Sequence, residues 1–451
     1  MTTAEYDLWL SDLDAPRVLL AELDHSGGTQ YVATAPFISK PTDSDPNRIY
    51  DDCLDAAIDI STRIDGLIGF GEVAMVDDGS LTDWIPLRWQ GHPIRLYLGG
   101  PDWPRDDFRL LAQGVNGGII TARQGELRFA MNDQSARLDE PIDTGQLPND
   151  GGPVPLALGS IYNAPAYLLQ PDPYEWKASF LPVTSLRPKS NGNASVSYTA
   201  NLQNGSFVLG AGLDNATLTV DIEEQTNTPA RVAQWVAMQY GITVGQIEMP
   251  GYRVGLYYNS EVSGRQILDD LCDGMGAYWF LDATGRLIVR QHKAPGSATL
   301  TMVGDDIVDA AIQLSSTEQP WQSLTLRWRR NYQTLSNVAG VVSADERARL
   351  TREWSEHKAS QSVSGYPLVE KVSRDTCIQR QSDIVTETNR LLGLHSVRRD
   401  TYSIEAFTPP VDVGMTLAID MPPLNARACR LIAVSRSPTR RGGSTNLEVW
   451  L

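Results

Sequence analysis

A chain of 451 residues is long enough for three or four domains with several cores, and its composition (41% hydrophobic, 21% charged, 37 Gly, 27 Pro) is that of a globular protein rich in turns and short strands. The net charge of −17 is concentrated in residues 1–150, which hold 26 Asp and Glu against 11 Lys and Arg. So acidic a surface argues against tight binding to nucleic-acid phosphates, and solubility is its ordinary explanation.

No apolar run of about 18 residues occurs, so no helical membrane span is predicted. The opening MTTAEYDLWLSDLD is acidic and lacks the charged-then-apolar pattern of a secretory signal, so export by that route is not expected. Residues 1–147 are predicted as an N-terminal β domain. Arg17–Leu23 and Thr29–Thr34 flank a turn at His25–Gly28. Asp43, Asp45 and Asn47 superficially match a calcium loop, but the sixth-position Gly is missing and Leu54 stands where a bidentate Glu is needed. Asp51–Ile64 reads as helix or strand; the alternation of Ile58, Ile60 and Ile64 favours strand. Strands are predicted over Ile94–Leu98 and Phe108–Gly114, with a hairpin of Gly118–Arg123 and Glu126–Asn132 over Gln124-Gly125. Many short strands with frequent turns suit a sandwich or barrel.

LPNDGGPVP at 147–155 opens a Pro/Gly-rich linker and small β region, 148–213. It has low charge density, a turn at PDPYEW, and a hairpin of Ser195–Ala200 and Ser206–Leu209. Residues 214–300 read as an α+β domain. Ala216–Ile222 is a strand. Pro229–Tyr240 is a helix with Thr228 as N-cap and Pro229 at its first position; Val232, Trp235, Val236 and Gln239 mark its inner face. A helix–hairpin follows. Ser263 caps a helix with Ile267, Leu268, Leu271 and Met275 on one face, Gly274 and Gly276 stop it, and Tyr278–Leu281 and Leu287–Arg290 flank a turn at Asp282–Gly285.

Residues 301–451 are predicted as a C-terminal β-rich domain with two helices. In Trp321–Arg330, Leu324, Leu326 and Trp328 face one way and Thr325, Arg327 and Arg329 the other. Ser343–Trp354 is a charged helix. Asp383–Leu394 is a second, with Ile384, Thr388, Leu391 and Leu392 on one face. Arg399–Phe407 is a strand, and Ala428–Ser435 pairs with Asn446–Leu451 across a basic turn.

Chemical motifs are missing. Five His show no ligand spacing, and no GxSxG elbow, GxxxxGK[ST] loop or GxGxxG turn occurs. Cys53, Cys272, Cys377 and Cys429 are scattered without CxxC spacing and read as reduced, mostly buried thiols. No catalytic, cofactor-binding or metal-binding residue is predicted, and no enzyme activity.

Several phrases nevertheless form a familiar set. LWLSDLDAPRVLLAEL and HPIRLYLGGPDWPRDDFRLLAQGVNGGI lie in the acidic first domain. PLALGSIYNAPAYLL follows, then ILDDLCDGMGAYWFLDATGRLIV, then VDVGMTLAID. Together they resemble the tail tip or baseplate hub proteins of long, non-contractile-tailed bacteriophages and related gene-transfer particles. The resemblance implies a mainly β, multi-domain fold, with barrel-like domains and α+β helix–hairpin insertions. It implies a structural role in the virion after synthesis in the bacterial host cytoplasm. The chain would form a homotrimer, join distal tail or tube proteins to the tip or central fibre, surround the end of the tape-measure protein, and pass DNA without specific binding. An acidic N-terminal lumen would suit such a conduit. Two other classes remain open: a tail-associated carbohydrate-binding adhesin, for which 11 Trp and 16 Tyr could supply platforms, and a cell-wall hydrolase with paired carboxylates.

Overall fold

A computed structural model describes residues 2–12, 14–55, 58–64, 68–123, 125–210, 216–366, 369–407, 411–436 and 444–451. The fold is mainly β and multi-domain, with 45% of residues in strands, 17% in helices, and several sheets curled as half-barrels. One element at the start is a helix that the reading of this region as mainly β did not include. Helix α1 (Thr3–Ser11) opens on a capping box: the Glu5 N–H donates to Thr2 Oγ1 (3.3 Å) and the Thr2 N–H to the Glu5 carboxylate (2.7 Å). Its Trp9 packs on Trp103 with ring centroids 4.5 Å apart.

Strands β1 (Val18–His25), β2 (Gly28–Ala33), β3 (Phe37–Ile38), β4 (Ile49–Tyr50), β5 (Ile60–Arg63), β6 (Ile68–Gly69), β7 (Glu72–Asp77), β8 (Pro93–Gly99), β9 (Arg109–Arg123) and β10 (Gly125–Asn132) follow. Six of them form an antiparallel sheet in the order β2-β1-β8-β9-β10-β7. Both faces of β1 are covered: Leu19, Ala21 and Leu23 enter one core, Val18 and Leu20 another. Where two strands were predicted between 108 and 123, β9 is continuous. Its first half pairs with β8 and its second with β10, and Gly118, at φ +102°, lies where the β10 ladder shifts register. The predicted turn residue Gln124 lies outside the described residues. The strand expected in 51–64 exists as β5, with Ile58 and Ile60 buried, but it leaves this sheet and pairs with a strand some 370 residues later.

The second region carries β11 (Leu156–Pro165), β12 (Tyr167–Pro171), β13 (Tyr174–Lys177), β14 (Ser185–Ser190), β15 (Tyr198–Asn201), β16 (Ser206–Leu209) and β17 (Leu218–Glu223). The predicted hairpin appears as β15–β16. The low charge density around 156 is explained by β11, which is buried along nearly its whole length. With a later strand, β19 (Gly255–Tyr258), it forms the sheet β14-β17-β11-β19, in which β11 is central; the other strands form β12-β13-β16-β15. Strands β11 and β19 approach so closely at the Gly159–Gly255 pair that a Cβ on Gly255 would lie 1.8 Å from the Ser160 carbonyl.

Helix α2 (Pro229–Gln239) begins at Thr228 and Pro229 as predicted, although the Thr228 hydroxyl makes no capping bond. Val232, Trp235 and Val236 are buried; Gln239 is exposed, and Ala233 and Ala237 complete the inner face instead. Helix α3 (Gly264–Cys272) is capped by Ser263, whose hydroxyl accepts from the Gln266 N–H, and a short 3-10 turn ends at Gly276 in the left-handed region. Ile267, Leu268, Leu271 and Met275 are all fully buried. Strands β18 (Val244–Glu248), β20 (Ala277–Leu281) and β21 (Leu287–Gln291) make the small sheet β18-β21-β20.

The remaining strands are β22 (Leu300–Val303), β23 (Ile307–Glu318), β24 (Trp321–Trp328), β25 (Ser355–Ser360), β26 (Glu370–Asp375), β27 (Arg399–Ala406), β28 (Thr416–Asp420), β29 (Arg427–Arg436) and β30 (Thr445–Trp450). The sheet β22-β28-β29-β30-β27-β23 takes in β5 and β6 through β29. The basic turn predicted between β29 and β30 lies outside the described residues over 437–443. Helix α4 (Ala344–Leu350) is shorter than the 343–354 expected; the Asn331 side-chain amide donates to the carbonyl of its last residue, Leu350, and to that of Arg352 beyond it. Helix α5 (Gln381–His395) buries Ile384, Thr388, Leu391 and Leu392 as predicted and packs on β24 and β25.

Candidate functional site

The helix–hairpin stands where the regions of the chain meet. Alternation along its strands divides the hairpin between two cores. Trp279, Leu281, Leu287 and Val289 pack with α2, α3 and α5, whereas Tyr278, Phe280 and Ile288 pack with the N-terminal sheet. Arg290 then reaches the C-terminal region, donating from Nη1 to the Val413 carbonyl at 2.9 Å.

Hollows flank this seam. One of 340 Å³ is bordered by Ile60 and Thr62 of β5, Phe280 and Ile288 of the hairpin, and Val413 and Val434 of the C-terminal region. The other, of 190 Å³, is bordered by Tyr278, His292, Glu318, His395, Arg430 and Trp450. His395 stacks on Trp321 with centroids 4.0 Å apart. Its Nδ1 lies 3.7 Å from Glu318 Oε2, beyond hydrogen-bonding distance. Burial lowers His292 to a pKa of about 4, with the His395 charge as a secondary cause, so His292 is neutral at pH 7.

Nothing around the hollow forms a nucleophile–base pair, and the arrangement is suited to holding a small polar group. Sequence reasoning had no signal for it. His292, Glu318, His395 and Arg430 are far apart in the chain, and no local spacing brings them together.

The other chemical side chains are placed structurally. Arg95 is clamped by Asp24 at 2.8 Å and Glu22 at 3.2 Å, and Arg105 reaches Glu22 at 2.7 Å, so part of the N-terminal acidity is neutralised within the sheet. Asp43, from the rejected calcium loop, accepts the backbone N–H groups of Lys40 and Arg105. Among the described residues no three His, Cys, Asp or Glu side chains form a group able to hold a metal. Cys272 and Cys377 enter one core despite their separation in sequence, while Cys53 and Cys429 lie against others; all four thiols are free. Burial pushes Cys53 up to about 11, Cys377 and Cys429 to about 12, and Cys272 further still. Such thiols are poor nucleophiles at neutral pH.

No family model matches the chain, and no curated protein matches it in sequence. Solved structures similar to it include phage tail proteins. The 43 kDa tail protein of prophage MuSo2 from Shewanella oneidensis has 11% identity and a TM-score of 0.46, over 95% of this chain and 98% of that one. A tail protein from Neisseria meningitidis MC58 has 8% identity and a TM-score of 0.45, over 97% of both chains. A chain of a native gene transfer agent virion has 12% identity and a TM-score of 0.44, over 69% of this chain and 88% of that one. No helix among the described residues is long and apolar enough to cross a membrane, which leaves β-barrel spans untested.

Proposed function

We propose that the chain is a structural subunit of a phage tail tip, a baseplate hub that joins the tail tube to the tip or central fibre and forms part of the DNA conduit. The observation that carries this reading is β23. This edge strand of 12 residues has β27 as its only strand partner among the described residues, and most of its side chains are exposed, Leu314 by 46%. A long open edge is costly in a free protein and useful in an assembly, because its unpaired backbone groups are ready to bond a neighbouring subunit. The resembling phrases also fall on structural elements: PLALGSIYNAP forms the buried β11, and ILDDLCDGMGAYWFLDATGRLIV forms the helix–hairpin where the cores meet.

The carbohydrate-binding alternative is weaker on one observation: none of the 11 Trp is exposed. A wall hydrolase is tested directly by zymography on purified protein. The hub reading is tested by mass photometry and by imaging of the assembled tip. A homotrimer at the tube end, contacting the tape-measure protein and distal tail proteins, is the expected result. A chain placed with sixfold symmetry alone, or outside the tube end, would overturn it.

A further inference from the structure

We propose that the 190 Å³ hollow at the seam is a binding site for a small free oxyanion of the carboxylate or phosphate class. Its 190 Å³ is far more than a single water needs. That is enough for an inorganic phosphate or a small polycarboxylate.

Charge is the first argument. Lys293, Arg374 and Arg430 border the hollow against a single carboxylate, Glu318, with His292 neutral at pH 7. Lys293 leans out to Glu248 at 3.2 Å, and Arg374 lies 3.9 Å from Asp273. Arg430, in contrast, has no carboxylate within ion-pair distance among the described residues. A half-buried guanidinium without a counter-charge calls for an anion.

The second argument is geometric and independent of charge. Tyr278 is only 6% exposed, and its hydroxyl has no hydrogen-bond partner. The buried Nδ1 of His395 also makes no hydrogen bond, with the Glu318 carboxylate 3.7 Å away. Buried polar groups are nearly always satisfied, so orphans on one hollow point to an absent occupant. The donors also converge. A Cβ placed on Gly414, whose φ is +90°, would lie 3.0 Å from Tyr278 Oη, 3.1 Å from Arg290 Nη1, which already bonds the Val413 carbonyl, and 3.5 Å from Arg430 Nη2. Glycine, with no Cβ, is what lets the phenol and the guanidinium groups come this close to the backbone at the edge of the hollow. An occupant that only accepts hydrogen bonds and carries negative charge matches both groups; an ordered water meets the hydroxyl but leaves Arg430 unpaired.

The inference stands apart from the hub reading, since it concerns the isolated chain. The test is thermal unfolding and calorimetric titration of the full chain with inorganic phosphate, citrate and acetate. Ionic strength is held constant with chloride. Saturable stabilisation by at least one of the three is expected, and the responding anion distinguishes phosphate from carboxylate. Tyr278→Phe and Arg430→Gln should each weaken binding by at least about tenfold. Tyr278→Phe removes only an unpartnered hydroxyl, so its stability without anion should be unchanged or higher, which separates lost binding from lost folding. A chain that responds to none of the three overturns the proposal. A response unchanged in both variants overturns it too, because the anion then binds elsewhere.

Discussion

An Arg390 guanidinium nitrogen lies 2.6 Å from the carboxylate of Glu387, three residues earlier on the same helix, and Glu387 is completely buried. The carboxylate also accepts from Tyr252 Oη and from Gln291 Nε2, each at 3.1 Å. Arg390 in turn donates to the carbonyls of Met275 at 2.9 Å and His292 at 2.7 Å. The pair therefore fastens α5 to the helix–hairpin, with the buried charge compensated from several sides.

Removing the acid leaves Arg390, Tyr252 and Gln291 facing an empty place. Glu387→Ala should cost about 3–5 kcal/mol in urea unfolding at pH 7. Glu387→Gln, which keeps an acceptor, should cost less. Equal midpoints for wild type and Glu387→Ala would show that the network contributes nothing to stability.

Leu271 is fully buried at the centre of the same core. Leu271→Ala should destabilise by about 2–5 kcal/mol, the range for a core leucine whose surroundings collapse only in part. A change below about 0.5 kcal/mol would place the residue at the surface.

Gly255 tests backbone approach rather than side-chain packing. Its added Cβ would meet the Ser160 carbonyl, a backbone atom in a central strand that cannot swing aside. Gly255→Ala should cost more than about 3 kcal/mol or prevent folding. Gly296→Ala, with nothing within 4 Å of the new methyl, should stay within about 0.5 kcal/mol of wild type. Matching unfolding curves for the two variants would refute the close approach.

His292 gives a pH dependence. Burial holds its folded pKa near 4, below the unfolded value of about 6.5. Between these values the unfolded chain binds more protons, so stability falls as pH drops from about 6.5 towards 4, and this group contributes no slope above 6.5. The loss amounts to about 3 kcal/mol at most. His292→Gln should flatten the slope, measured as the difference between the two proteins at pH 7 and pH 5 in phosphate-free buffer. Parallel slopes would exclude the mechanism.

If the acids of residues 1–150 face the conduit proposed above, they keep DNA mobile. An acidic wall raises the energy of passing DNA by a screened amount, with a Debye length of about 8 Å at physiological salt. A basic wall would bind it through counterion release. Replacing the exposed Asp51, Asp52 and Asp59 by Lys should leave assembly intact and slow genome delivery, most at low salt. DNA-ejection kinetics unaffected by these changes at every salt concentration would remove the idea.

What the sequence determined by itself was local. Apolar spacing was enough to place α3 and its buried face, the β20–β21 hairpin, the inner face of α5 and the alternation of β24, because periodicity reports which side of an element avoids water. Helix α1 was not predicted: it buries only Tyr6 and has no apolar stripe to advertise it, and its Thr2–Glu5 capping box emerged only in the structure. Tertiary structure decided everything that depends on a partner. Nothing in Ile60–Arg63 says that it pairs with Ala433–Arg436 rather than with the sheet around it. Nothing in Glu387 says that Tyr252, Gln291 and Arg390 will satisfy it, and nothing in Tyr278 says that Arg430 will share its hollow. A residue's own neighbourhood encodes its preference for burial, whereas the identity of the covering element is a non-local choice, made when the whole chain closes.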